Sequence, residues 1–445
     1  MSPRSACRVW VLLAVVLASG WLGACASKTA MMPAPLAIRQ AGRGVFDRVP
    51  ESRRGGEVEV FYATDRARLA DGRAGARYGS ARGAGVRLGS ARVRVGPEEW
   101  SWDDLTERTL DGARPRLTVT GVFEFGAIDD GAPATDASLS SGGPPDSPAM
   151  RFADSINAAL DRAGKREVFV YVPGFNLTFE LGLRRMAEFS HYLGREGVFV
   201  AFAWPAHSHP FAYRADRRSA FRSAEEFGDF LALLTEQTRA ERIHLIASSA
   251  GAPVVSGALA ALREANPGLS REALRARSRI GLVVYAASDQ DADEFREMLR
   301  SGAFDAAEHV TVYASGSDAG LLLTSNFGSG DRTIGRLPAS LTEEDASALV
   351  EFRDLVSVVD VTPAVDAAGR GDMWAHRYWY LNTWVSSDLI TLLRHGTPPE
   401  GRALVPTEGG ALWAFPPDYP GRLREAMAGC AVGDSLRPAA GAPVE

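Results

Sequence analysis

The residue best placed for chemistry is a serine at the junction of a strand-like and a helix-like pattern. Residues 243–251 run from an apolar segment typical of a buried strand into a group of small residues, and a helical pattern follows. A tight turn between two such elements requires small residues two positions before and two positions after its tip. Ser249 has Ala247 and Gly251 at these positions, whereas Ser248 would place a branched side chain at one of them. Ser249 is therefore the candidate nucleophile.

A serine hydroxyl becomes an effective nucleophile when a histidine accepts its proton and a carboxylate orients that histidine. The stretch around Ser249 resembles the nucleophile elbow of α/β hydrolases, G-x-S-x-G, with alanine at the first glycine. In those enzymes an acid and then a histidine follow along the chain. The second strand expected after the turn is followed by Asp318, and the third by a loop that carries His376. Asp289, at the end of the first such strand, is the alternative acid.

Acyl transfer also requires two N–H donors for the oxyanion of the tetrahedral intermediate. One donor comes from the residue after the nucleophile, here Ala250. The other is expected in the turn after residues 167–172, which form a buried strand and lead into Pro173-Gly174-Phe175-Asn176. Phe175 is the expected second donor, since Gly174 allows close approach of the backbone.

The elements that must position these residues alternate between buried strands and amphipathic helices from residue 152 onward. This alternation predicts an α/β fold with a mostly parallel sheet that is covered by helices on both faces. Functional groups then gather at the carboxyl ends of the strands. We expect one domain over residues 56–396, a disordered insertion near 126–147, and a C-terminal extension, 397–445, that packs on the domain and frays at its end.

The N-terminus has the features of a targeting segment. Arg4 and Arg8 precede a short apolar run, and Leu-Gly-Ala-Cys ends at Cys25. Residues 1–25 therefore resemble a bacterial lipoprotein signal peptide and lipobox, which implies lipidation of Cys25. Since Ala26 and not aspartate follows, the resemblance implies an outer-membrane location facing the periplasm. Residues 26–55 lack periodicity and are interpreted as a flexible tether.

Composition excludes some classes of partner. The 445 residues carry a formal charge of −6, and no basic patch indicates nucleic-acid binding. His207 and His209 are two residues apart, but no cysteine or glutamate stands at a metal-ligand spacing beside them, so we predict no metal and no cofactor. The expected partners are a small-molecule ester or acyl substrate and the membrane that the lipid anchor would enter.

The motifs together resemble a family of bacterial α/β-hydrolase proteins of unknown function, often lipoproteins. Its signatures are FYATDR, VHGYN, FSWPS, AHSMG, DxDADxF and a late histidine. The match extends over roughly residues 58–395. The corresponding stretches here are FYATDR at 61–66, VPGFN at 172–176, FAWPA at 202–206, ASSAG at 247–251, DQDADEF at 289–295, and His376.

This resemblance implies the α/β-hydrolase fold and a serine hydrolase, and it supplies no substrate. Two positions depart from the pattern, since Pro173 and Ser248 stand where the family has histidines. The favoured hypothesis is a lipid-anchored esterase or related acyl hydrolase with a cleft for small or modest acyl esters. The alternative is a catalytically decayed relative that acts as a binding or scaffold protein. Aromatic residues expected to line the cleft are Trp204, Phe211, Tyr213, Phe327 and Trp379.

Overall fold

A computed structural model describes most of the chain. The described residues are 29–70, 77–130, 146–175, 177–207, 213–325, 332–369, 372, 374–407 and 409–431. Cys25, Asn176, His209, Phe211 and Phe327 lie outside them, as does most of the insertion predicted near 126–147.

The described residues form one mixed sheet of eleven strands in the order β10-β11-β9-β8-β7-β6-β4-β5-β1-β2-β3. Neighbours from β9 to β1 run parallel, and β2 and β3 add an antiparallel edge. The strands are β1 Glu57–Arg68, β2 Tyr78–Val95, β3 Leu117–Ala127, β4 Glu167–Val172, β5 Val198–Phe202, β6 Arg242–Ser248, β7 Ile280–Ala286, β8 Ala307–Ala314, β9 Val356–Asp360, β10 Val405–Pro406 and β11 Trp413–Ala414. The predicted fold class is confirmed.

Helices cover both faces of this sheet. The larger ones are α3 Pro148–Arg162, α4 Phe179–Tyr192, α5 Tyr213–Gln237, α6 Ala252–Glu264 and α14 Thr383–His395. The shorter ones are α1 Leu36–Ala41, α2 Trp102–Leu110, α7 Arg271–Ser278, α8 Ala292–Arg300, α9 Ala319–Ser325, α10 Leu337–Ser340, α11 Glu343–Glu351, α12 Thr362–Ala368, α13 Tyr378–Leu381 and α15 Tyr419–Ala431. No helix within the described residues is long and apolar enough to cross a membrane.

The central strands are buried on both faces because helices pack on each side. Alternate residues of β4 belong to different hydrophobic clusters: Val170 contacts the cluster that includes α3, α5 and α6, and Tyr171 contacts the one that includes α4 and α14. Burial on both faces explains the continuous apolar runs that the sequence shows at these strands. Because β4, β6, β7 and β8 are parallel, their carboxyl ends lie at the same edge of the sheet.

The prediction of a flexible tether at residues 26–55 is wrong for residues 29–55, which the structure describes. Met31, Met32 and Ile38 are buried in the cluster that contains α4 and α14. The backbone N–H of Met32 donates to Glu188 Oε1 over 2.9 Å, and that of Ala37 donates to Ser387 Oγ over 2.9 Å. The segment contributes single apolar side chains from irregular backbone and from short helical turns, so it lacks the periodicity by which longer elements are recognised in a sequence.

The domain boundary expected at residue 396 also needs correction, because the sheet continues past it. β11 pairs in parallel with β9, and β10 pairs with β11. Phe415 and Tyr419 are buried beside α14 and α1. The extension therefore supplies an edge of the sheet in addition to packing on it.

Candidate active site

The candidate nucleophile lies on a strained turn. β6 ends at Ser248, which has extended backbone angles (φ −120°, ψ 140°), and Ser249 follows with a φ of 48°. A left-handed conformation at a residue other than glycine costs of order 1–3 kcal/mol and persists only where its surroundings impose it. The structure thus puts Ser249, and not Ser248, at the tip of the turn.

Close packing of the turn against β4 imposes this conformation. A methyl group added at Gly251 would lie 2.4 Å from the carbonyl oxygen of Val172, and one added at Gly174 would lie 2.8 Å from Ser249 Cβ. Neither distance is tolerated by real side chains, so both positions require glycine. The same contacts bring the turn after β4 directly against the candidate nucleophile.

Ser248, one of the two departures from the family pattern, links these turns. Its Oγ accepts a hydrogen bond from the backbone N–H of Gly174 over 3.1 Å and lies 3.0 Å from the hydroxyl oxygen of Tyr171. Pro173, the other departure, has no N–H to donate, and its carbonyl oxygen accepts the indole N–H of Trp204 over 2.6 Å. Both substituted positions therefore help to hold the turn after β4 in place.

The structure pairs the predicted acid and histidine. Nδ1 of His376 lies 2.8 Å from Oδ2 and 3.1 Å from Oδ1 of Asp318, whose side chain is fully buried after β8. The carboxylate accepts the Nδ1 proton, so Nε2 of a neutral imidazole is left as the proton acceptor. The His376 side chain keeps 27% of its surface exposed.

Two neighbours that sequence reasoning missed fix this histidine. Asp372 Oδ1 accepts the backbone N–H groups of Trp374 and His376, and its Oδ2 binds Arg377 Nε over 2.5 Å. A methyl group on Gly320 would lie 3.0 Å from His376 Cβ, so the start of α9 packs closely on the histidine. The Asp-x-Trp-x-His spacing is the local signal for the first contact, because aspartate side chains commonly accept N–H groups a few residues ahead.

The electrostatic environment favours protonation of His376. Burial by itself lowers the pKa of this histidine, but the charge of Asp318 and its hydrogen bond outweigh burial, and Asp372 and Asp289 act in the same direction. The net result is a pKa above the usual 6.5. A histidine shifted in this way is a stronger base toward a serine hydroxyl.

The alternative acid, Asp289, is fully buried beyond the end of β7. This strand lies between β6 and β8, so about 10 Å separates the strands that carry Ser249 and Asp318. The charge of Asp289 contributes to the raised pKa of His376. The hydrogen bonds of His376 Nδ1 nevertheless go to Asp318.

The two expected oxyanion donors lie beside the turn. Ala250 follows Ser249 and is buried. Phe175 is half-buried in the turn after β4, packs against the cluster that contains α3, and comes directly after Gly174.

Other residues considered from the sequence have different places. His207 Nδ1 lies 2.5 Å from Oδ1 of Asp216 at the end of β5. Within the described part of the chain, no group of three His, Cys, Asp or Glu side chains could hold a metal. Trp204 and Trp379 are buried core residues and do not line a cleft, which corrects that expectation. The side chain of Tyr213 lies outside the described set.

Exposed apolar side chains adjoin the pair in place of the expected aromatics. Leu322, Leu323 and Trp374 each have 44–50% of their surface exposed. The backbone N–H groups of Ala319 and Gly320 bind the carbonyl oxygen of Trp374 over 2.9 and 3.3 Å. Leu323 lies one helical turn beyond them on the same face of α9, so this apolar surface adjoins His376. Its sequence signal, three consecutive leucines, is also typical of a buried helix.

Comparison with known proteins gives one family and one solved structure. The chain is similar to the inhibited esterase B of Lactobacillus rhamnosis, with 12% identity and a TM-score of 0.27. The similarity covers 45% of this chain, which spans 66% of the esterase. A search of curated proteins found no significant match.

A family model matches residues 149–391, which is more than half of the chain and extends from the start of α3 into α14. This region contains β4, the turn at Ser249, and the paired Asp318 and His376. The chain belongs to the family described as alpha/beta hydrolase of unknown function (DUF900).

Proposed function

We propose that this chain is a serine hydrolase that cleaves ester bonds with Ser249, His376 and Asp318. The observation that carries the proposal is the pairing of His376 Nδ1 with the buried Asp318 at the sheet edge that also holds the strained Ser249. Nucleophile, base and orienting acid follow in the order of α/β hydrolases.

The reaction follows from the protonation state of the histidine. Nε2 of His376 removes the proton from Ser249 Oγ as Oγ attacks the ester carbonyl, and Asp318 stabilises the imidazolium that forms. The oxyanion of the tetrahedral intermediate accepts the N–H groups of Ala250 and Phe175. His376 then donates its proton to the departing alkoxide, and a water molecule repeats the sequence on the acyl-enzyme.

The substrate class is an ester with an apolar acyl or alkyl group. Leu322, Leu323 and Trp374 are exposed. The helix that carries the leucines packs on His376 at Gly320, and Trp374 is two residues before His376, so we expect a substituent of a bound ester to extend over these side chains. Burial of such a group removes apolar area from water and contributes about 25 cal/mol per Å². An apolar ester is therefore expected to bind more tightly than an acetate ester.

A fluorophosphonate probe tests the proposal. We expect the wild type to be labelled and Ser249→Ala not to be, because the probe reacts with an activated serine. Asp318→Asn should lower ester turnover by about 10³–10⁴-fold, as expected when the acid that orients a catalytic histidine is lost, with a smaller loss for Asp289→Asn. Folded wild type that takes no label would favour the alternative, a non-catalytic binding or scaffold protein. Loss of turnover in Asp289→Asn alone would reassign the acid.

We also propose that the protein is anchored through acylated Cys25 to the outer membrane, facing the periplasm. The lipobox-like sequence supports this proposal. Ala30 bridges to Arg116, and the carbonyl oxygen of Thr29 accepts the N–H of Leu117, so only three residues would separate an acylated Cys25 from the domain. In cells fed an alkyne fatty acid we expect a labelled membrane-bound protein and an unlabelled Cys25→Ser variant. Equal labelling of both would disprove lipidation at Cys25.

A further inference from the structure

Three consecutive side chains at the end of β1 bind three different parts of the sheet edge. They are Thr64, Asp65 and Arg66 of the FYATDR stretch, and all three are buried. The parallel pairing of β1 with β5 ends at Ala63, so these residues lie at the carboxyl edge that also holds the candidate site. The proposed reaction assigns none of them a role.

Arg66 contacts the loop that carries the expected oxyanion donor. The described residues between β4 and α4, 173–175 and 177–178, are called the β4–α4 loop below. Nη2 of Arg66 donates to the carbonyl oxygen of Leu177 over 2.7 Å, and Nη1 donates to that of Gly79 over 3.0 Å. Leu177 is two residues after Phe175, so the guanidinium fixes the loop immediately beyond the donor.

The β4–α4 loop is held at both ends. On the side before Phe175, the carbonyl oxygen of Pro173 accepts the indole N–H of Trp204, and the N–H of Gly174 donates to Ser248 Oγ. On the side after Phe175, Arg66 reaches from β1 to the carbonyl oxygen of Leu177. A peptide plane that must point at a developing oxyanion needs restraint from both sides, since a displacement of about 1 Å can cost 10²-fold in rate.

Thr64 supports the same arrangement from the neighbouring strand. Its hydroxyl donates to the carbonyl oxygen of Ala203 over 2.5 Å and accepts the backbone N–H of Arg66 over 3.2 Å. Ala203 directly precedes Trp204, whose indole holds Pro173. The two side chains thus restrain the β4–α4 loop by two routes, Arg66 directly and Thr64 through the chain after β5.

Burial of a guanidinium costs free energy unless the group is paired or hydrogen-bonded. Burial lowers the pKa of Arg66 to about 10, against the opposing charges of Asp65, Glu180 and Asp216. Asp65 itself is occupied elsewhere, because its Oδ2 accepts from Arg82 Nη1 and Ser223 Oγ, both over 2.6 Å. Arg66 therefore stays charged at neutral pH, and its hydrogen bonds to Gly79 and Leu177 go to backbone carbonyls.

We infer that Arg66 is a positioning residue of the proposed hydrolase, which acts by holding the β4–α4 loop so that the N–H of Phe175 points at the oxyanion. This inference rests on the proposed function. Thr64 assists it by fixing the backbone of Arg66 and of Ala203. The FYATDR stretch is thereby joined to the candidate site through contacts that lie more than 100 residues apart in sequence.

The chain offers a matched control in Arg195. Arg195 is as buried as Arg66, and its guanidinium also donates to backbone carbonyls, those of Gly55 and Glu57. It precedes β5 and so lies at the amino-terminal edge of the sheet, opposite the candidate site. Substitution of either arginine by methionine removes buried hydrogen bonds to backbone carbonyls. Only Arg66→Met removes a hydrogen bond to the β4–α4 loop.

The experiment measures kcat and KM for p-nitrophenyl butyrate and the inhibition constant of a trifluoromethyl ketone, whose hemiketal with serine carries the oxyanion. For Arg66→Met we expect kcat and ketone affinity to fall together, by about 10–100-fold, as on partial loss of one oxyanion donor, with KM changed less than about threefold. Arg66→Lys, which keeps the charge but reaches fewer carbonyls, should recover part of both losses. Thr64→Val should show a smaller loss of the same kind.

The control separates positioning from stability. Arg195→Met should resist urea less well than the wild type but keep kcat and ketone affinity within about twofold. If folded Arg66→Met keeps kcat as well as Arg195→Met does, or if KM alone changes, the inference is wrong. If Arg66→Met does not fold, the folded variants Arg66→Lys and Thr64→Val take its place. Losses of both kcat and ketone affinity relative to Arg195→Met then support the inference, and unchanged values of both contradict it. A wild type that neither turns over the ester nor reacts with a fluorophosphonate overturns the proposed function, and this inference with it.

Discussion

The His376 side chain is partly exposed and is surrounded by carboxylates. Its Nδ1 is bound to the buried Asp318, and its backbone N–H is bound to Asp372. Both carboxylates raise its pKa, as does Asp289. At the scale of single residues, the site thus depends on charges supplied by three separate loops.

The raised pKa predicts the pH dependence of activity. Only neutral His376 can accept the serine proton, so kcat/KM should rise with pH through an apparent pKa above 6.5. Asp318→Asn removes the largest raising influence, and its residual activity should follow a lower apparent pKa. Rates on an apolar ester from pH 5 to 9 check both expectations. An acid limb below pH 6.5 in the wild type would contradict the assignment.

The raised pKa of His376 also affects the free energy of unfolding, with a pH dependence opposite to that of activity. Since the folded-state pKa is raised, protonation of His376 stabilises the fold below pH 6.5, and this contribution is lost as pH rises through the folded pKa. A rise in pH that makes His376 neutral, and so able to accept a proton, therefore removes its stabilising charge interaction with Asp318.

Among the secondary-structure elements, the N-terminal segment of residues 29–55 changes the most from its sequence interpretation. Its buried side chains include Met31, Met32, Ile38 and Phe46, which pack on α4 and α14. The side chain of Gln40 also donates to the carbonyl oxygen of Pro420 at the start of α15. The segment therefore joins the hydrolase region to the C-terminal extension.

Removal of this segment should destabilise the protein. Each fully buried apolar side chain contributes about 1.5–3 kcal/mol, so a chain that begins at Gly56 should unfold at markedly lower urea than one that begins at Thr29. Within the longer chain, Ile38→Ala should cost about 2–5 kcal/mol. Leu341→Ala, at an exposed position, should change the free energy of unfolding by less than about 0.5 kcal/mol. Equal urea midpoints for the two chain lengths would show that the segment is a tether after all.

Across the whole molecule, the parallel sheet brings distant residues to one edge. Thr64, Gly174, Ser249, Asp318 and His376 come from separate parts of the sequence, and their elements meet because parallel strands place their carboxyl ends together. β7 lies between β6 and β8, so Asp289 follows the strand that separates the strands of Ser249 and Asp318.

The sequence alone determined the features that depend on local patterns. Apolar runs predicted the central strands, the small residues around Ser249 predicted the turn, and strand counting predicted Asp318 and His376 as partners. These predictions succeed because a buried parallel strand and a tight turn restrict residue types within a few positions. The sequence favoured Asp318 and left Asp289 as the alternative acid, since the two follow neighbouring strands.

Only the tertiary structure decided the features that depend on contacts between distant segments. The pairing of His376 with Asp318, the bond from Ser248 to Gly174, and the reach of Arg66 to Leu177 each join parts of the chain at least 58 residues apart. The packing of residues 29–55 also depends on contacts between distant segments. A single serine or arginine carries no sequence pattern that names its partner, because its hydrogen bond is specified by the position of the partner in space.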